Sequence, residues 1–138
     1  MDEKALEEAI TLEFMNDCVL DHKWKWIPGM KAVGRKGVPL AWFRLQEETR
    51  RLHGDWAVAR PDWSDPATIG GLLFHVRRTW ASPDRLWNGH VEVHRDHRNL
   101  YFVVQPYHDE EGGLAYHTLA TGKTEAEALL RALVREGD

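Results

Sequence analysis

Apolar residues along the chain change period several times, and each change marks a predicted element. Over residues 4–20 they recur at helical spacing, with Ala5, Leu6, Ala9, Ile10 and Leu12 on one broad face. Glu13, Asn16 and Asp17 interrupt that face in the second half. Trp24-Lys25-Trp26-Ile27 alternates as a strand does and runs into Pro28-Gly29, a turn. Gly34-Arg35-Lys36-Gly37, between Val33 and Val38, reads as the basic tip of a hairpin. Residues 39–53 are predicted helical: Pro39 suits the first turn, Gly54 the stop, and Trp42, Leu45, Thr49 and Leu52 line one side. A short extended piece from Trp56 to Arg60 follows.

The next helix carries the sharpest signals. Asp65 suits the N-cap and Pro66 the first helical position, ahead of a stripe of Ile69, Leu72, Leu73, Val76 and Trp80. Gly70 and Gly71 each lower helix propensity by about 1 kcal/mol relative to Ala, so close approach to a sheet is expected there. Three strands are then predicted at 90–95, 99–107 and 114–119, joined by Asp96-His97-Arg98 and by Asp109-Glu110-Glu111-Gly112-Gly113. The middle strand is apolar on both sides over its first half, as a sheet covered on both faces requires. The last helix opens with a capping box, Thr124 and Glu127, and turns Ala126, Leu129, Leu130 and Leu133 inward. Helices before and after a short antiparallel meander predict an α+β fold, arranged as a three-layer helix–sheet–helix sandwich.

At 138 residues the chain has one domain's length, so 1–138 is expected to form a single α+β sandwich domain with a helical insertion at 39–53. A net charge of −4 argues against coating nucleic acid by charge alone and leaves room for a local basic patch. Cys18 is the single cysteine, which excludes an intramolecular disulfide and zinc sites that need two thiolates. With short apolar runs and no basic-then-apolar segment after Met1, a cytoplasmic location is expected.

The order of these signals resembles the phage ABA sandwich domain family. The resemblance is carried by Trp24-Lys25-Trp26 after an N-terminal helix and by Pro61-Asp62-Trp63-Ser64-Asp65-Pro66-Ala67 opening a helix. The strand pair at 90–107 and the late Glu125-Ala126-Glu127-Ala128-Leu129-Leu130-Arg131-Ala132-Leu133 helix complete it. It covers residues 12 to 134, with 39–53 standing outside the family outline. It implies helices on both sides of an antiparallel sheet and a setting among tailed-phage or prophage proteins. The family has no established shared activity, so no catalytic residue, metal or cofactor is implied.

Candidate chemistry is sparse. Gly122-Lys123-Thr124 resembles the end of a phosphate-binding loop, but the first glycine would fall at 117, where His117 stands. No Gly-x-Ser-x-Gly elbow is present, and Ser64 and Ser82 sit in cap or turn settings. Cys18 lies among apolar neighbours as a structural thiol, and Asp109, Glu110 and Glu111 read as a solvated loop. On a strand, His90, Glu92 and His94 share a face, a donor set that suits zinc or iron in a metal-dependent hydrolase. The stronger candidate is the aromatic and basic set Trp24, Lys25, Trp26, Lys31, Arg35 and Lys36. Indole and guanidinium groups are enriched in protein–protein hot spots, and the same residue types stack on bases and neutralise phosphates. The expected function is therefore a non-catalytic accessory protein that binds a host or phage protein through this hairpin, with no cofactor. Net acidity ranks a nucleic-acid partner second and leaves the hydrolase third. Trapping of a small ligand such as a nucleotide is a further binding alternative.

Overall fold

A computed structural model of the chain describes residues 2–21, 23–34, 43–81 and 90–135. The fold is α+β, with three α-helices and two small antiparallel sheets among the described residues. The chain divides into two compact units, Met1–Gly71 and Leu72–Asp138. No described helix is long and apolar enough to cross a membrane.

In the first unit, helix α1 (Glu3–Cys18) is capped by Asp2, whose Oδ1 accepts the Ala5 N–H at 2.7 Å. The predicted apolar face of α1 is not its buried face. Leu6, Ile10 and Leu12 are 50%, 56% and 53% exposed, whereas Met15 and Cys18 are buried, so only the last turns enter the core. Strands β1 (Lys31–Val33), β2 (Phe43–Arg44) and β3 (Arg60–Pro61) form a sheet in the order β2-β1-β3. Lys31 stands opposite Arg44, and Val33 opposite Arg60.

The predicted helix at 39–53 is corrected over 43–53, and residues 39–42 lie outside the described ones. Its part 43–49 pairs with 26–32 instead. Trp26 and Thr49 exchange backbone hydrogen bonds of 2.7 and 3.1 Å, Leu45 donates to Met30 at 3.0 Å, and Gly29 donates to Leu45 at 2.9 Å. These long-range bonds satisfy backbone groups that a helix would have satisfied locally, and helix propensity is too weak to oppose them. Trp24–Ile27 is likewise no strand, because only Trp26 pairs, as an isolated bridge. Gly54–Val58 winds into a 3-10 turn that takes up the first part of the extended piece predicted from Trp56 to Arg60, and Arg60 lies in β3.

Helix α2 (Pro66–Trp80) begins as predicted, with Asp65 Oδ2 accepting the N–H and the hydroxyl of Thr68, both at 3.0 Å. Close approach is realised at Gly71, where a Cβ would lie 3.1 Å from Met30 Cγ and 3.4 Å from Ile27 Cβ. What it meets is the 27–30 turn and not a sheet. Nothing lies within 4 Å of a Cβ at Gly70.

The second unit follows its periodicity closely. Strands β4 (Glu92–Arg95), β5 (Tyr101–His108) and β6 (Leu114–Gly122) form the predicted meander. Asp96 closes the first turn by accepting the N–H groups of Arg98 at 2.8 Å and Leu100 at 3.0 Å. Asp109 closes the second, accepting from Glu111 and Gly113 at 3.0 and 2.8 Å. A register shift between Val103 and Val104 marks a bulge, since Val103 faces Ala120 while Val104 faces Thr118, leaving Leu119 as the extra residue of β6.

Helix α3 (Glu125–Arg135) runs back over β5 and β6. Ala126, Leu129, Leu130 and Leu133 are all buried, as the pattern predicts. Thr124 Oγ1 accepts the Glu127 N–H at 3.1 Å, and Glu127 reaches back to the Lys123 N–H at 3.0 Å, one residue earlier than an ordinary capping box. The helix sits so close to β6 that a Cβ at Gly122 would come within 2.6 Å of Ala128 N. Trp80 Nε1 donates to Ala132 O at 2.9 Å, and Arg77 Nε to Val91 O at 2.9 Å, fixing the end of α2 within this unit.

Candidate binding site

The predicted aromatic and basic hairpin does not form one surface. Trp24 and Trp26 are 0% and 2% exposed and meet edge to face, with ring centroids 5.6 Å apart. Trp63 adds a second such contact to Trp24 at 5.8 Å. These indoles are core groups, which corrects their reading as partner contacts. Lys25 Nζ pairs with Glu48 Oε1 at 3.1 Å on the surface. Lys31 lies in β1, where its backbone N–H donates to Thr68 Oγ1 at 2.8 Å. Arg35 and Lys36 lie outside the described residues.

The strongest electrostatic perturbation in this unit belongs to the fold. Arg44 clasps Asp65 through two bonds of 2.8 Å and donates to Gly29 O at 3.0 Å. The guanidinium, aided by Thr68 and opposed by burial, holds the Asp65 carboxyl well below the usual carboxylate range. The same pair raises Arg44 above its ordinary value. The network joins β2, the 27–30 turn and the cap of α2, and both charges are committed within it.

Beside the buried Trp26 lies a pocket of about 470 Å³. Its apolar walls come from Val19, Leu20, Leu52, Ala57 and Ala59, and its polar groups from Asp21, Arg50, Arg51, His53 and Arg60. Three arginines and one carboxylate residue thus line the pocket in a chain whose net charge is −4. The Trp26–Thr49 bridge sets Arg50 and Arg51 beside the end of α1, and the pairing of β3 with β1 brings in Arg60. Thr49 Oγ1 donates to Arg51 O at 2.9 Å and accepts its N–H at 3.3 Å, which shapes the chain at the rim. Sequence reading missed this set because it placed residues 50–53 on the last turn of a helix. The available signal was the basic density of Arg50-Arg51-Leu52-His53 with Arg60 close behind.

A second recess of about 450 Å³ in the other unit is lined by Lys123, Glu127, Arg131 and Arg135 along β6. Its arginines are engaged within the fold. Arg131 bonds Glu127 Oε1 at 3.0 and 3.2 Å, and Arg135 bonds the carbonyls of Thr118 and Leu119 at 3.1 and 2.6 Å. On β4, His90 and His94 approach different oxygens of Glu92, at 3.7 and 3.2 Å. Among the described residues no group of three His, Cys, Asp or Glu side chains is placed to hold a metal ion. Cys18 is buried at the end of α1, the surroundings predicted for a structural thiol.

Compared with protein-family models, with curated proteins and with solved structures, the chain matches none.

Proposed function

We propose that this protein is a non-catalytic binding module, an accessory protein of the phage type acting in the host cytoplasm, that engages an anionic surface of a partner protein. The observation that carries the reading is the concentration of Arg50, Arg51 and Arg60 around an apolar pocket in a net-acidic chain. Guanidiniums flanking an apolar recess combine a hot-spot residue type with bidentate recognition of carboxylates. The contact set therefore moves from the buried Trp24 and Trp26 to these arginines. The phage setting rests on the sequence resemblance.

The test is capture from host lysate by the tagged protein, with and without nuclease, alongside an Arg50→Glu/Arg51→Glu variant. Both positions are exposed, so charge reversal leaves the core intact. A dominant partner that survives nuclease and falls at least tenfold on the variant supports the reading. Equal capture by the variant overturns it. A partner lost on nuclease treatment moves a nucleic acid to first place, and its affinity should then fall steeply with salt.

A further inference from the structure

We propose that the pocket beside Trp26 binds a small phosphomonoester of mononucleotide size, a ligand class distinct from any macromolecular partner. The charge count selects the class. Among the lining Arg, Lys, Asp and Glu residues, Arg50, Arg51 and Arg60 stand against Asp21, an excess of two positive charges. A phosphomonoester carries about −1.5 to −2 near neutral pH and so matches that excess, whereas a single carboxylate leaves part of it uncompensated. Planar guanidinium forks also suit the oxygens of a phosphate group.

The shape selects the size. At about 470 Å³ the pocket exceeds what a bare phosphate occupies and falls within the roughly 300–1,000 Å³ typical of small-molecule sites. Leu20, Leu52 and Ala57 give the remaining space an apolar lining suited to the flat organic part of such an ester. The site is also built before any ligand arrives. Leu20 and Asp21 are held by backbone bonds to Asp17 and Cys18, at 2.9 and 3.1 Å. Trp56 and Ala59 are held by bonds to His53 and Trp56, at 3.2 and 2.9 Å. Arg50 and Arg51 follow Thr49, which is bridged to Trp26, and Arg60 lies in β3, which pairs with β1, so binding requires little further ordering of the backbone.

The inference uses the same arginines as the partner reading but needs no partner to exist. Calorimetric titration of the full chain with AMP, adenosine and inorganic phosphate tests it. AMP should bind at least tenfold tighter than adenosine or phosphate, and Arg51→Ala should weaken AMP at least tenfold. Arg60→Ala should do the same. Because Arg60 also bonds Ala59 O at 3.2 Å, the exposed Arg51 provides the variant least coupled to folding. Backbone amide resonances of residues 50–53 and 57–60 should shift on adding AMP. AMP binding no tighter than adenosine, or shifts centred on Lys123, Arg131 and Arg135, overturns the proposal. So does the failure of AMP, UMP and glucose phosphate alike to bind at millimolar concentration. Loss of AMP binding in Arg50→Glu/Arg51→Glu with partner capture intact supports the pocket and overturns only the partner reading. Lost capture with unchanged AMP affinity overturns the pocket alone.

Discussion

The two units are held together by different means. In Leu72–Asp138 the strands are four, eight and nine residues long, β5 and the eleven-residue α3 bury most of the core, and that core is aliphatic: Val103, Leu119, Leu129, Leu130 and Leu133. In Met1–Gly71 the strands are only two or three residues long. There a wedge of three tryptophans and a chain of polar contacts, Arg44 to Asp65 to Thr68 to Lys31 N–H, supply the order. Long elements bury area by repetition, so almost any apolar residue of suitable volume serves at a given position. Short elements depend on particular partners, and single substitutions there should remove more structure.

Truncating the wedge sets the upper end of this contrast. Trp24→Ala should cost about 3–5 kcal/mol in chemical denaturation, by removing a fully buried ring and both edge-to-face contacts. Trp24→Phe should cost clearly less, since the buried Nε1 has no hydrogen-bond partner among the described residues. Equal losses for the two variants would show that the wedge is not what orders this unit.

Glycines sharpen the comparison with effects of opposite sign. Gly122→Ala forces a Cβ against the backbone of α3 at 2.6 Å and should destabilise by about 1–3 kcal/mol. Gly70→Ala meets nothing within 4 Å and should stabilise by about 0.5–1 kcal/mol through helix propensity. Thermal melts of both variants check the pair, and a stabilising Gly122→Ala would contradict the close seating of α3 on β6.

The smallest effect expected is one of pH. Asp65 titrates lower in the fold than in the unfolded chain, so its pairing contributes stability above the unfolded value of about 3.9. That contribution is lost as pH falls through the lower folded value. Arg44→Met should therefore reduce Tm by a nearly constant amount near neutrality, and the deficit should shrink below about pH 4. Melts from neutral to acid pH check the sign; a deficit that widens in acid contradicts the clasp.

Legibility in the sequence was greatest where local signals decide the structure. The α3 capping residues Thr124 and Glu127 and the inward set Ala126, Leu129, Leu130 and Leu133 were readable, because a helix with one dry face imprints its period. So was the Asp65–Pro66 start of α2. The stretch 43–53 was not, since the spacing of Leu45, Thr49 and Leu52 fits a helix while the backbone of 43–49 pairs with 26–32, 11 to 23 residues away. Trp24 and Trp26 could be placed two apart but not assigned to core or surface, for which a distant ring at Trp63 is decisive. The basic pocket was hidden for the same reason: Arg50, Arg51 and Arg60 converge only through a bridge and a two-residue strand.

The seat of Arg135 has a consequence for the life of the chain at high concentration. Strand β6 is one of the two outer strands of its sheet, β4 being the other, and an outer strand invites another chain to add on. The guanidinium already occupies the carbonyls of Thr118 and Leu119, at the bulge in the middle of that strand. A neighbouring molecule that tries to zip along β6 finds its ladder interrupted there by a cation and a kink. The end of α3 thus blunts this one edge in the way that charged gatekeeper residues do.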